Sequence, residues 1–256
     1  MLQSLGSSES PVVIAHRGHS EEAPENSIAA FHRAIEAKAD MIELDVRLSS
    51  DNEFVVFHDK KLNRTSNGRG LLKKFSAKEL SEFDNGSWFS RKFSRERIPL
   101  LRDVLPLTKH GIMINIEIKP DVASVGERSL EEEIVRVVSK SKASHHVMYS
   151  SFNHFMMSAI KRIDDSIVTG ILYNPIADFR HSPSQLAARA RAEIFICSKY
   201  QLNGDVMHDA HKNDCRVYVY GVKSERDVER MVRLGVDGII ADNPAMVRRM
   251  FKSIFA

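Results

Sequence analysis

Hydrophobic and polar positions follow two different periods along this chain, and the two periods alternate almost throughout. Short runs of apolar, often β-branched residues are typical of strands, and stretches with apolar residues three or four positions apart are typical of amphipathic helices. Ile28, Phe31 and Ile35, for example, recur at helical spacing, and Ser27 before them is a favourable N-cap. The strand-like runs begin near Val12, Met41, Ile112, Val147, Val168, Glu193, Val217 and Gly238.

This alternation predicts the fold class. Strands that alternate with helices favour a parallel sheet covered by helices. About eight such units in 256 residues match a TIM (β/α)8 barrel, with an open doubly wound sheet as the alternative. We therefore predict one barrel domain over residues 1–256, with residues 1–10 as a flexible tail.

One strand-like segment, "FVVFHD" at residues 54–59, does not fit this count. It follows the second strand too closely for a crossover helix, and the turn-forming "SSDNE" precedes it, so it should return antiparallel as a hairpin. A turn centred on Asp51 and Asn52 would place Asp45 opposite His58. Residues 60–98 then contain no obvious barrel strand and are predicted to form a small insertion.

Strand alternation also predicts where acidic side chains point. In "MIELDV", Glu43 and Asp45 share one face, opposite the apolar residues between them. In "IMINIEIK", Glu117 and Lys119 alternate with isoleucines in the same way. If the apolar faces pack on the outer helices, these polar residues enter the barrel near the carboxyl ends of the strands, where TIM-barrel active sites lie.

Three converging carboxylates, those of Glu43, Asp45 and Glu117, would raise one another's pKa unless a cation compensated their charge. Oxygen ligands favour a hard divalent ion, so the pattern indicates one Mg²⁺ or Ca²⁺. The alternative is that each acid pairs separately with a lysine or arginine. The repetition of the pattern in two strands favours the metal site.

The ends of the first strand and of the hairpin carry histidines. His16 and His58 should reach the same rim, where two imidazoles could divide the roles of acid and base. Arg17 and Lys119 would add positive charge suited to phosphate oxygens, or would balance the acids. Together these groups favour phosphoryl transfer or phosphoester hydrolysis. No Walker A loop, "HExxH" pair, "GxSxG" elbow or kinase signature accompanies them.

Charge and cysteine content narrow the possible partners and location. The 37 Lys and Arg residues against 34 Asp and Glu leave a net charge of +3, and the basic residues are scattered, which argues against a nucleic-acid partner. Cys197 and Cys215 lack metal-ligand or redox spacing and are expected to be reduced thiols.

The N-terminal residues lack the pattern of a secretory signal, and no apolar run is long enough to span a bilayer. We expect a cytoplasmic protein without stable membrane insertion; the oligomeric state is left open.

Several motifs occur in an order that resembles the glycerophosphodiester phosphodiesterase family. They are "HRGHSEEAPENS", "IELDVRLSSDNEFVVFHD", "IPLLRDVL", "INIEIKP", "SSF" and "GVDGIIADNP". Each motif is weak alone, but the ordered set is specific and runs from about residue 12 to about residue 244. The resemblance implies a TIM barrel independently of the strand count.

The resemblance also implies a reaction and roles for the residues. Members hydrolyse glycerophosphodiesters, such as glycerophosphocholine or glycerophosphoethanolamine, to glycerol 3-phosphate and an alcohol. By motif position, the cation ligands would be Glu43, Asp45 and Glu117, the acid-base pair would be His16 and His58, and the phosphate would be held by Arg17 and Lys119. The nucleophile, either water or the glycerol 2-hydroxyl, and the role of each histidine stay open, as does formation of a cyclic phosphate.

Other positions near the motifs have different expected roles. Where the family commonly has a Trp-Thr-Val-Asn-like run, this chain has "YGVK" at residues 220–223, a change that bears on the leaving-group preference. Asp242 is expected to serve turn and cap chemistry after the last strand. Gly18 should allow a sharp turn at the barrel mouth, and residues 24–26 should brace the loop, with Glu25 also able to orient a neighbouring group.

Two other functions compete with hydrolysis of soluble glycerophosphodiesters. The same site could act on lipids, as a lysophospholipase D or as a sphingomyelinase D-like enzyme that cyclises its substrate. The insertion after His58 favours the soluble substrates. The barrel could also be a non-catalytic binding protein, but such a protein would have little need for all seven chemical positions together.

Overall fold

The computed structural model describes residues 10–119 and 129–255, so nearly all of the predicted N-terminal tail lies outside the described residues. The strands are β1 (Val12–His16), β2 (Met41–Leu48), β3 (Phe54–Val56), β4 (Met113–Ile118), β5 (Val147–Ser151), β6 (Thr169–Leu172), β7 (Ile194–Ser198), β8 (Arg216–Val222) and β9 (Gly238–Ala241). The α-helices are α1 (Ile28–Glu36), α2 (Ala77–Leu80), α3 (Leu101–Val104), α4 (Leu130–Lys140), α5 (His154–Ile163), α6 (Pro183–Ala190), α7 (Gly204–Lys212), α8 (Glu225–Leu234) and α9 (Pro244–Ile254).

The sheet closes on itself. Its strand order is β1-β9-β8-β7-β6-β5-β4-β2, and β1 also pairs with β2, so eight parallel strands form a barrel. β3 lies outside the barrel count and pairs antiparallel with β2. The closure confirms the TIM barrel and excludes the open doubly wound sheet.

Two layers of apolar side chains lie on the two faces of the barrel strands, as the alternation predicts. Ile42, Leu44 and Val46 belong to the large hydrophobic core that includes residues of the outer helices. On the other face, Met41 and Met113 join a smaller cluster inside the barrel. Glu43, Asp45 and Glu117 share this inner face and lie farther toward the carboxyl ends of their strands than Met41 and Met113 do.

The connection from β1 to α1 depends on a glycine and a cap. Gly18 has φ +82°, and a Cβ placed on it would lie 2.7 Å from the Ala30 backbone carbon. Only glycine therefore allows this loop to pack on α1. Ser27 accepts a hydrogen bond from the Ala30 backbone N–H and caps the helix that its spacing predicts.

The hairpin forms, but the predicted pairing of Asp45 with His58 is wrong by one residue. Val46 pairs with Val56, so the Phe57 N–H donates to the Asp45 carbonyl at 3.0 Å. The reason is the loop: five residues, 49–53, separate the last paired residues, and this odd number shifts the register relative to a two-residue turn. Arg47 Nε donates to the His58 carbonyl at 2.8 Å, which anchors His58 beyond the strand end.

The segment after the hairpin packs around a hydrophobic cluster of its own. Leu62, Leu72 and Leu80 are buried there, together with Val55 and Phe57. The Val56 N–H donates to the Pro99 carbonyl at 2.8 Å, so the two ends of the segment meet. The segment can therefore keep a defined position beside the barrel mouth.

The cysteines are placed as the sequence indicates. Cys197 and Cys215 are buried free thiols, and burial raises the pKa of both to about 12, which keeps them protonated. Within residues 10–119 and 129–255, no helix has both the length and the apolarity needed to cross a bilayer.

Candidate active site

A cavity of about 270 Å³ opens at the carboxyl ends of the barrel strands. Six of the seven predicted site residues line it: His16, Arg17, Glu43, His58, Glu117 and Lys119. The seventh, Asp45, is fully buried and contacts Arg17 and Lys119. The fold thus brings together every site residue proposed from the sequence.

Strand register places the acidic residues side by side. His16 on β1 pairs with Glu43 on β2, and Asp45 on β2 pairs with Glu117 on β4. The three carboxylates are buried, and one ligand oxygen from each lies within 4.8 Å of the others. This is the convergence that the two alternating strands predict.

Two of these carboxylates have cationic partners. Lys119 Nζ lies 2.5 Å from Asp45 Oδ1 and also contacts Glu117, and Arg17 Nε lies 3.1 Å from Asp45 Oδ2. Burial alone would raise the pKa of Asp45, but Lys119 and Arg17 hold it well below its usual range. The alternative of separate ion pairs therefore describes part of the cluster.

Glu43 differs from its neighbours. Its Oε2 accepts a hydrogen bond from the Arg17 backbone N–H at 2.9 Å, whereas its buried Oε1 has no hydrogen-bond partner within the described ranges. Burial, together with the charge of Asp45, raises the pKa of Glu43 to about 7. An orphaned buried carboxylate oxygen beside two others fits a divalent cation.

The two histidines are held in the same way. His16 Nδ1 lies 2.6 Å from Asp242 Oδ1, and His58 Nδ1 lies 2.6 Å from Asp59 Oδ1. A carboxylate at Nδ1 orients the ring and leaves Nε2 for exchange of protons with a bound molecule. Both imidazoles are one-third exposed, with 33% of each side chain accessible.

Their surroundings shift the two pKa values in opposite directions. Burial lowers the pKa of His16, but the hydrogen bond to Asp242 and the charge of Glu43 outweigh burial and raise it. Burial and the nearby positive charges of Lys119 and Arg17 lower the pKa of His58. Neighbouring titratable groups with opposed shifts are typical of sites that exchange protons.

The expected cap role of Asp242 is wrong. The N-cap of α9 is Asn243, whose side chain accepts from the Met246 N–H at 2.8 Å. Asp242 instead accepts from His16, and Ser20 Oγ donates to it at 3.3 Å. A closed barrel places β9 beside β1, but the periodicity of the chain does not indicate which side chains then meet.

A second residue missed from the sequence is Arg64 in the insertion. Its Nη1 and Nη2 donate to Glu25 at 2.7 and 2.8 Å, and its Nε donates to Asp59 at 2.7 Å. Glu25 also accepts from Arg17 at 2.8 Å, and Asp59 holds His58. One exposed arginine thus connects the residues that orient a predicted phosphate ligand and a predicted catalytic histidine. Its segment has no periodic pattern that could indicate this role.

Asn26 is a third missed residue. Its Nδ2 donates to Asp45 Oδ2 at 2.7 Å, and its Oδ1 accepts from the Asp45 N–H at 3.2 Å. These bonds fix the buried carboxylate from the opposite side to Lys119. Residues 24–26 therefore brace the loop, as expected, and also orient the acidic cluster.

Asn115 and Ser150 add two polar groups to the cavity lining, and the rest of the wall is apolar. This apolar part consists of Phe152, Leu172, Ile196, Tyr220 and Ile240. Tyr220 is the aromatic residue of "YGVK", so the departure from the family pattern falls on this wall. The polar and apolar sides of the cavity can contact different parts of one bound molecule.

Comparison with known proteins identifies the family of this chain. Residues 16–246 match the model of the glycerophosphoryl diester phosphodiesterase family. A glycerophosphodiester phosphodiesterase of Caldanaerobacter subterraneus is 37% identical over 91% of this chain and 94% of its own length. One of Bacillus altitudinis is 32% identical, again over 91% and 94%.

Solved structures share the fold. A phosphodiesterase of Oleispira antarctica, in complex with the product sn-glycerol-3-phosphate, has a TM-score of 0.82 and 27% identity, covering 94% of this chain and 97% of that one. A glycerophosphodiester phosphodiesterase of Agrobacterium tumefaciens has a TM-score of 0.81 and 26% identity, covering 94% and 100%. The chain therefore belongs to the glycerophosphoryl diester phosphodiesterase family.

Proposed function

We propose that this protein hydrolyses glycerophosphodiesters, such as glycerophosphocholine or glycerophosphoethanolamine, to glycerol 3-phosphate and an alcohol, with one Mg²⁺ or Ca²⁺. The observation that carries the proposal is one cavity that borders a buried carboxylate cluster and is lined by two carboxylate-held histidines and two cationic side chains. The structural neighbour with bound sn-glycerol-3-phosphate supports the product.

In this proposal Glu43, Asp45 and Glu117 hold the cation. When bound, it would polarise a phosphoryl oxygen and stabilise the charge that develops there. The buried Oε1 of Glu43, which has no hydrogen-bond partner in the described residues, would gain one from such an ion. Asn26 and Lys119 keep the Asp45 carboxylate oriented toward the cluster.

The two histidines move the protons. One imidazole Nε2 accepts the proton of the attacking hydroxyl, which belongs to water or to the glycerol 2-hydroxyl. The other Nε2 donates a proton to the oxygen of the leaving alcohol. Asp242 and Asp59 stabilise the charged rings and hold their Nδ1 atoms away from the substrate.

Arg17 and Lys119 supply fixed positive charge to the phosphate oxygens. Both line the cavity, and both are held by acidic neighbours: Arg17 by Glu25, and Lys119 by Asp45. Because these contacts fix the cations before substrate binds, little reorganisation is needed during the reaction.

A product assay tests this function against its rivals. We expect release of glycerol 3-phosphate from glycerophosphocholine and glycerophosphoethanolamine, measured with a coupled dehydrogenase and with Mg²⁺ or Ca²⁺ present. Turnover of lysophosphatidylcholine alone would instead indicate a lysophospholipase D, and a cyclic phosphate product would indicate sphingomyelinase D-like chemistry. Binding of these diesters without any turnover would support the non-catalytic barrel.

The contacts of Arg64 predict a loss of turnover at a distance from the reacting atoms. We expect Arg64→Ala to lower kcat by about 10–100-fold, because Glu25 and Asp59 would each lose the arginine that holds them and would keep Arg17 and His58, respectively, as partners. Arg64→Lys should restore only part of the loss, since an ammonium cannot bridge both carboxylates in the same way. The measurement is kcat and KM with glycerophosphocholine. Arg69→Ala, an exposed arginine of the same segment, is the matched control, and equal activity in the two alanine variants would contradict the role.

A further inference from the structure

Large apolar side chains are exposed in three neighbouring connections at the barrel mouth. The accessible fractions are 88% for Phe155, 85% for Ile176, 81% for Tyr200 and 63% for Phe179, and Phe152 is 38% accessible. These five residues, called here the apolar rim, follow β5, β6 and β7 in the chain. Because these strands are consecutive in the barrel, the rim residues lie in adjacent connections at its carboxyl end or, for Phe155, in the first turn of the helix that follows.

The position of the apolar rim distinguishes it from scattered surface residues. Single exposed hydrophobic side chains are normal in soluble proteins, whereas groups of them mark interaction sites. Phe152 belongs both to the rim and to the cavity wall, so the rim borders the opening of the candidate active site. A surface that contacts the rim would therefore also face that opening.

The charged side chains around the apolar rim favour a partner with an anionic surface. Arg180 lies over the Phe179 ring, 5.1 Å from its centroid, and Lys223 is exposed in the connection that follows β8. Lys199 lies over the Tyr200 ring but pairs with Asp227 at 2.7 Å.

Acidic groups are few in the same connections. Residues 152–153, 173–182, 199–203 and 223–224 contain a single acid, Asp178. Its carboxylate accepts from the Asn174 N–H at 2.8 Å, and only 14% of its side chain is accessible. Within these four ranges the exposed charged side chains, those of Arg180 and Lys223, are therefore positive.

We propose that the apolar rim docks the protein on the surface of an anionic lipid bilayer. Phenylalanine, isoleucine and tyrosine side chains partition into the boundary between headgroups and acyl chains, while basic side chains near them contact lipid phosphates. Arg180 and Lys223 supply those basic groups, and anionic lipid attracts each of them. This peripheral contact needs no membrane-spanning segment and is independent of the catalytic proposal.

Vesicle sedimentation with the full chain tests the docking. We expect binding to phosphatidylcholine vesicles that contain phosphatidylglycerol, weaker binding to phosphatidylcholine alone, and weakening by salt. The double variant Phe155→Ser with Phe179→Ser should weaken the partition coefficient by about tenfold or more. Arg180→Glu, at an exposed position, should also weaken it and tests the same surface if the double variant does not fold.

Two controls separate docking from other effects. Phe255→Ser removes an exposed aromatic residue at the end of α9, on the opposite end of the barrel, and should leave vesicle binding unchanged. Turnover of soluble glycerophosphocholine should be the same in the rim variants and the parent, since none of the substituted residues lines the cavity.

If the protein binds no vesicle, or if rim variants bind vesicles as well as the parent does, the proposal is overturned. A parent dimer that the rim substitutions convert to a monomer, measured by light scattering, would identify the rim as a protein interface and would also overturn it.

Discussion

Replacing either histidine of the cavity by alanine is expected to lower kcat for glycerophosphocholine by about 10²–10⁴-fold. His16 and His58 each place an imidazole in the cavity with its Nδ1 held by a carboxylate. Alanine removes the Nε2 that exchanges a proton, while the cation ligands and the charged phosphate ligands stay in place. Steady-state kinetics with each purified variant measure the loss.

Stability must be followed in parallel, because an unfolded variant would also lose activity. His16 and His58 are partly exposed, so their replacement should change the free energy of unfolding little.

Leu44→Ala is the opposite case, because Leu44 is fully buried. The cavity left behind should lower the free energy of unfolding by about 2–5 kcal/mol, while the folded fraction stays active. His110→Ala, at an exposed site far from the cavity, should change neither kcat nor the free energy of unfolding. Activity losses that follow the extent of unfolding in all variants would contradict the proton-transfer roles.

Removing divalent metal is expected to reduce release of glycerol 3-phosphate to the background rate, and added Mg²⁺ or Ca²⁺ should restore it. The expectation rests on three buried carboxylates within 4.8 Å and on the Oε1 of Glu43, which has no hydrogen-bond partner in the described part of the chain. Lys119 and Arg17 compensate Asp45, but neither forms an ion pair with Glu43 in the described residues. Activity that survives exhaustive chelation would refute the dependence on metal.

Thermal unfolding gives a second readout that does not involve catalysis. A cation that binds only the native state should stabilise it, by about 2.7 kcal/mol at a concentration of 100 times Kd. Because the pKa of Glu43 is raised to about 7, this carboxyl takes up a proton as the pH falls through that value, and the affinity for the cation should fall with it. Glu43→Gln should remove most of the stabilisation by metal. Glu82→Gln, at an exposed carboxylate outside the cluster, is the control.

Much of the barrel follows from the local pattern of the chain. Side chains of a strand alternate with a period of two, so Glu43 and Asp45 had to lie opposite Leu44 wherever β2 was placed. The same alternation puts Glu117 on the inner face of β4. With eight strand-helix units, these local rules predicted both the closed sheet and the acidic cluster inside it.

The hairpin marks the point where local rules become insufficient. Its existence followed from the short connection between β2 and β3, but its register depends on whether the loop has an odd or even number of residues. Five loop residues placed Phe57, not His58, beside Asp45. His58 still reaches the cavity because Arg47 and Asp59 hold it beyond the strand end.

By itself, the sequence determined which residue types each strand presents to the barrel interior and which motifs end those strands. Only the tertiary structure decided which distant groups support them. Asp242 reaches His16 because barrel closure pairs β9 with β1, and Arg64 reaches Glu25 because the insertion packs beside the mouth. Strand periodicity is a property of neighbouring residues, whereas these contacts join positions 226 and 39 residues apart. The local pattern predicted that the barrel closes, but which side chains meet across it is fixed by tertiary packing.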